Sequence, residues 1–191
     1  MSAVPYNRSL RLLLAVILIL SVGCRRKEEA RPDHPRLTPN VALRDVTFHS
    51  VALNRDMQYR VVLPSSLAPV QRLRVVYRLH GGGGGFKDWS NYSDVGRFAE
   101  SNLLLVMPAG SSSYYTNAEP PQDRYEDHIV NDLISDVESR FPVALGRSKR
   151  AIVGISMGGF GAVKLALRHP DLFSLVGEIS SAIDVPRARF P

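Results

Sequence analysis

The chain has 191 residues, 45% hydrophobic and 22% charged, which is enough apolar material for one globular domain with a sizeable core. Its net charge of +6 is uneven: residues 1–40 carry +4 and residues 41–191 only +2, with no basic, aromatic-interleaved surface, which argues against a nucleic-acid partner. The single cysteine excludes an intrachain disulfide, and no His, Cys and carboxylate cluster has metal-ligand spacing, so neither metal nor cofactor is expected.

Arg8 and Arg11 precede an apolar stretch over residues 12–22 that ends in Gly23-Cys24. This is the n-region, h-region and small-residue junction of a secretory signal, and the stretch is too short to span a bilayer. A cysteine at that junction resembles the start of a mature bacterial lipoprotein, although Ser21 stands where that pattern prefers Leu. The resemblance implies acylation of Cys24 and a protein held at the bacterial cell envelope, in the periplasm or on the outer membrane. Residues 25–40 are charged and contain Pro32, Pro35 and Pro39, which reads as a disordered tether. The expected division is a signal over 1–23, a tether over 24–40 and a folded domain over 41–191.

Within that domain, residues 43–53 and 57–63 are rich in β-formers and flank the turn Asn54-Arg55-Asp56, which predicts an antiparallel hairpin ended by Pro64-Ser65-Ser66. A strand over residues 74–79 follows, then a short helix over 94–100, then an apolar strand over 103–107 stopped by Pro108-Ala109-Gly110. Asp123 and Glu126 have the spacing of a capping box. The helix they would open has apolar residues at Ile129, Val130, Leu133, Ile134, Val137 and Phe141. A strand over 151–153, a helix that stops at His169-Pro170 and a last strand over 175–179 complete the order. Strands alternating with helices after a leading hairpin predict an α/β fold whose mostly parallel sheet is covered on both sides.

Two loops carry chemistry. Gly154-Ile155-Ser156-Met157-Gly158 fits G-x-S-x-G between an apolar strand and a helical run, the arrangement of a nucleophile elbow that lifts a serine hydroxyl above the sheet. Upstream, the strand over 74–79 runs into His80 and five glycines, Gly81 to Gly85. Acyl transfer through a serine generates an oxyanion that needs unpaired backbone N–H groups, and a glycine run after the third strand can supply one while Met157 supplies another. Plain turn and linker readings compete at both places. Phe86, Trp89, Tyr92, Tyr114 and Tyr115 fall on loops after parallel strands, where they would line an acyl or sugar-ester site or, for about half of them, simply pack the loops onto the domain.

Together, Leu79-His80-Gly81-Gly82-Gly83-Gly84, Asp88-Trp89-Ser90-Asn91-Tyr92, Val106-Met107-Pro108, Ser113-Tyr114-Tyr115, Arg124-Tyr125-Glu126-Asp127 and Gly154 to Ala162 resemble the "Putative esterase" family of the α/β-hydrolase fold. That family includes esterase D, tributyrin esterases, feruloyl esterase domains and the antigen 85 mycolyltransferases. The resemblance runs in matching order from about residue 41 onward. It implies Ser156 as nucleophile, backbone N–H groups of Gly82 and Met157 as the oxyanion hole, and a small-molecule ester as substrate.

In this fold an acid and a histidine follow the serine in the chain. Of His34, His49, His80, His128 and His169, only His169 does, and a helix of about twelve residues would place it roughly 18 Å from the elbow. His169 is expected to end its helix, His80 to shape the glycine loop, and His128 to lie in a helix that covers the sheet. Asp184, just after the last strand, is the one candidate acid. The resemblance therefore implies the N-terminal portion of a serine carboxylesterase, weak or inactive by itself. An acyltransferase of antigen 85 type and a noncatalytic surface lipoprotein are the alternatives.

Overall fold

The computed structural model describes residues 32–118, 123–181 and 183. The expected signal, Cys24 and Asp184 lie outside them. The hairpin forms as β1 (Val41–Ser50) and β2 (Arg55–Pro64), antiparallel with Ser50 opposite Arg55 and Val41 opposite Pro64. Asn54 takes a positive φ of 49° in the turn, a conformation Asn tolerates better than most residues. β3 (Arg74–Leu79), β4 (Leu103–Pro108), β5 (Arg150–Ile155) and β6 (Leu175–Ile179) complete one six-stranded sheet in the order β1-β2-β4-β3-β5-β6. β2 runs antiparallel to β4, and the strands from β4 to β6 are parallel. The mostly parallel sheet with a leading hairpin is as expected.

Alternation along the strands divides the apolar residues between two faces. One face, with Tyr59, Val61, Val75, Tyr77, Leu79, Leu104, Val106 and Ile152, holds the larger core. It packs against Ile129, Leu133 and Val137 of the central helix and against Ala162 and Leu165 of α5 (Met157–Arg168). The other face, with Val62, Leu105 and Met107, is covered by α1 (Asp88–Tyr92) and α2 (Val95–Ala99) through Trp89, Val95 and Ala99. α1 is an addition to the predicted elements. Cover stops short of the end of the sheet: Ile155, Leu175, Val176 and Ile179 are exposed, and β6 pairs with β5 alone among the described residues.

Three expectations need correction. The central helix runs without a break through α3 (Tyr125–Asp127), a π-helical stretch (His128–Leu133) and α4 (Ile134–Arg140), so the six apolar positions are right but the register between them is wider than an α-helix. Its start is not a capping box. Arg124 occupies the cap position without a side-chain cap bond, Asp123 is drawn away by a bidentate pairing with Arg55 at 2.7 and 2.9 Å, and the Glu126 carboxylate turns inward.

Within the segment read as a disordered tether, residues 33–38 are instead docked on the domain. Arg60, 1% exposed on β2, donates to both oxygens of Asp33 at 2.8 and 2.7 Å, to both of Asp45 at 2.6 and 2.8 Å, and to Ser90 Oγ at 2.9 Å. The Arg36 amide donates to the Ser90 carbonyl, and Gly96 leaves room for the backbone of Leu37 and Thr38. A buried guanidinium demands carboxylates, and Asp33 comes from the segment read as solvated because of its composition.

Candidate active site

β5 ends at Ile155 and α5 begins at Met157, so a single residue turns the chain from strand to helix. That residue is Ser156, at φ 53° and ψ −117°, a region that costs a non-glycine residue conformational energy and persists only where the surroundings impose it. The Ser156 amide donates to the Ile179 carbonyl of β6 at 2.9 Å, and the Ser156 carbonyl accepts the first helical bond from Phe160 at 3.1 Å. The hydroxyl is exposed and caps nothing. A Cβ on Gly154 would overlap the Gly158 carbonyl, and one on Gly158 would come within 2.6 Å of the His80 carbonyl, so glycine is required at both.

Leu79 of β3 pairs with Gly154 of β5, which brings the glycine loop and the elbow out at the same end of the sheet. They touch: a Cβ on Gly81 would stand 3.5 Å from the Ser156 Cβ. Neither the Gly82 nor the Met157 amide donates to an acceptor among the described residues. The N-terminus of α5 adds its positive end to the same spot.

The glycine loop is braced from below. Trp89 Nε1 donates to the Leu79 carbonyl at 3.0 Å, and its ring carries the Arg78 guanidinium 4.2 Å from the centroid. His80 is buried. Its Nε2 accepts the Gly110 amide at 2.9 Å, so its proton sits on Nδ1, which donates to the Gly81 carbonyl at 2.8 Å. Burial holds the imidazole below its ordinary pKa and keeps this neutral tautomer. His80 thus shapes the loop, as expected.

Three of the other histidines are committed elsewhere. His128 is fully buried, stacked on Phe48, with Nδ1 2.9 Å from Ser50 Oγ, which in turn donates to Asp132 at 2.6 Å. Burial lowers its pKa to about 4. His169 Nε2 lies 2.8 Å from Glu126, at the far end of α5 from Ser156, so it is a carboxylate partner beyond its expected role as a helix stop. His49 pairs with Asp56 on the hairpin. No histidine or carboxylate contacts Ser156 among the described residues.

Burial raises the Glu126 pKa most strongly, but hydrogen bonds from Arg168, Lys164 and His169 outweigh that and bring it down to about 2. Of the five loop aromatics, Tyr115 is buried, Trp89 braces the glycine loop, and Phe86 lies 5.9 Å from Arg60. Tyr92 is exposed, and Tyr114 meets Phe160 edge-on at 5.9 Å, one helical turn from Ser156. Phe160 was not among the aromatics anticipated from the sequence; its signal was the i+4 spacing from the serine.

A strand-turn-helix serine beside a glycine loop at the carboxyl edge of a mostly parallel sheet is the arrangement of the α/β-hydrolase fold. Residues 50–188 match the model of the family described as "Putative esterase", and the chain belongs to that family. An acetyl esterase of Caldicellulosiruptor saccharolyticus is 26% identical over 152 residues, covering 75% of this chain and 57% of that protein. The fluorophosphonate-binding serine hydrolase FphF of Staphylococcus aureus superposes with a TM-score of 0.71 at 26% identity, over 79% of this chain and 62% of that one. The S-formylglutathione hydrolase FrmB of the same organism gives 0.67 at 25% identity, over 85% and 66%. The chain thus spans less than two thirds of the length of each.

Proposed function

We propose that these residues form the nucleophile and oxyanion half of a serine carboxylesterase. The Ser156 hydroxyl adds to the carbonyl carbon of a small ester, the Gly82 and Met157 amides hold the oxyanion, and collapse expels the alcohol to leave an acyl-enzyme that water then cleaves. The observation that carries this reading is the strained, exposed Ser156 set against the glycine loop. The acetyl esterase relative supports a short acyl group as the first substrate to try. The hydroxyl proton needs an acceptor, and among the described residues no imidazole is hydrogen-bonded to Ser156, so turnover by this arrangement is expected to fall several powers of ten below that of a complete triad.

The test is fluorophosphonate labelling together with p-nitrophenyl acetate hydrolysis, each with Ser156→Ala as the control. Slow labelling confined to Ser156, with hydrolysis close to buffer, is the expected pair of results. Robust turnover abolished by Ser156→Ala would overturn the weak-catalyst part, and absence of any label would overturn the nucleophile assignment.

A further inference from the structure

Successive turns of α5 present Ser156, Phe160 and Lys164, and Lys164 reaches across to the loop that follows β4. Its Nζ donates to the Tyr115 carbonyl at 2.7 Å, to Thr116 Oγ1 at 2.9 Å and to Glu126 at 3.0 Å. The loop it grips is strained: Ser111, Tyr114 and Tyr115 take φ of 46°, 53° and 53°, and side chains other than glycine adopt such angles only when held there.

What the strain achieves is visible at Tyr115. Its ring fills the space left by Gly110 and Gly161, where a Cβ would approach ring atoms to 2.6 Å or closer, and its hydroxyl donates to the His80 carbonyl at 3.2 Å. That carbonyl belongs to the peptide joining His80 to Gly81, one residue before the Gly82 amide. From the other side, the Gly110 amide holds the His80 ring.

We propose that Lys164 is a positioning residue for the oxyanion amide: it keeps Tyr115 left-handed, and Tyr115 then fixes the His80–Gly81 peptide and so the direction of the Gly82 N–H. The catalytic consequence rests on the reading of Ser156 as the nucleophile. Neutralising Glu126 does not by itself explain Lys164, because Arg168 and His169 also donate to that carboxylate, each at 2.8 Å. Burial depresses the Lys164 pKa, so holding it here costs free energy that its three acceptors offset.

Lys164→Met and Tyr115→Phe are compared with Arg168→Met, which removes a partner of Glu126 without touching the tyrosine loop. Hydrogen exchange of the Gly84 amide, which donates to the Gly81 carbonyl at 3.1 Å, is expected to speed up about tenfold in the first two and stay at the wild-type rate in Arg168→Met. Labelling of Ser156 is expected to slow about tenfold in the same two, at unchanged reversible affinity for the reagent. Lys164→Arg should restore both readouts. Wild-type exchange of the Gly84 amide in Lys164→Met, or equal acceleration in Arg168→Met, would overturn the proposal. Failure of every protein to label, wild type included, would count against the serine reading alone, and the exchange pattern would still decide the brace.

Discussion

Acid should unfold this domain through His128 before it does so through the carboxylates. The ring is fully buried against Phe48 and Tyr125, with Asp132 and Arg55 as the charged groups that act on it. Ser50 spends its proton on Asp132, so His128 Nδ1 must be the donor to Ser50 Oγ, and Nε2 is left as a buried acceptor without a partner among the described residues. The folded pKa is about 4 against 6.5 in the unfolded chain. Between those values the unfolded state binds the extra proton, so stability is complete above pH 6.5 and falls as the pH drops towards 4. At pH 4.5 the loss is about 2.5 kcal/mol, a shift of roughly 1 M in a urea midpoint. His128→Leu leaves Ser50 bonded to Asp132 and to the Leu53 amide. It should therefore fold while losing most of the pH dependence between 4.5 and 6.5, with smaller slopes remaining from buried His80 and, at the acid end, from Glu126. The measurement is a series of urea titrations across that range for both proteins. Equal slopes for wild type and His128→Leu would refute the reasoning.

Arg60→Met should cost about 2–3 kcal/mol by chemical denaturation, less than a wholly buried pair because Asp33 and Asp45 are each about one-third exposed and can resolvate. The same change should open a tryptic cut after Arg36, which mass spectrometry would detect. Gly154→Ala should destabilise by about 3 kcal/mol or more, because its methyl meets the Gly158 backbone, whereas Gly82→Ala has nothing within 4 Å and should stay within about 1 kcal/mol in the same thermal assay. If the lipoprotein reading of Cys24 holds, Cys24→Ser should abolish palmitate incorporation and release the protein from the membrane fraction of a bacterial host.

The elbow, the hairpin and the parallel strands were legible because each is written in a few neighbouring residues: Gly154 to Gly158, the turn at Asn54, the apolar runs at 74–79 and 175–179. The Arg60 cluster was not, since it joins residues 33, 45, 60 and 90, which only the folded topology brings together. The capping box failed for the same reason. Asp123 and Glu126 have the local spacing, but distant cations, Arg55 for one and Lys164 for the other, compete for their oxygens and win. Ser50, His128 and Asp132 likewise meet across the hairpin and the π-helical stretch, with no periodic signal to announce them.

The outer side of β6 carries a practical consequence. Among the described residues no strand pairs with that side, and Leu175 and Ile179 are uncovered, features that favour edge-to-edge association of sheets. Two molecules joined β6 to β6 would extend the sheet across a seam one strand away from β5, which leads into the elbow. Kinetic work on this chain should therefore begin with light scattering at the assay concentration, because crowding at that seam would change reagent access to Ser156 without any change in the elbow.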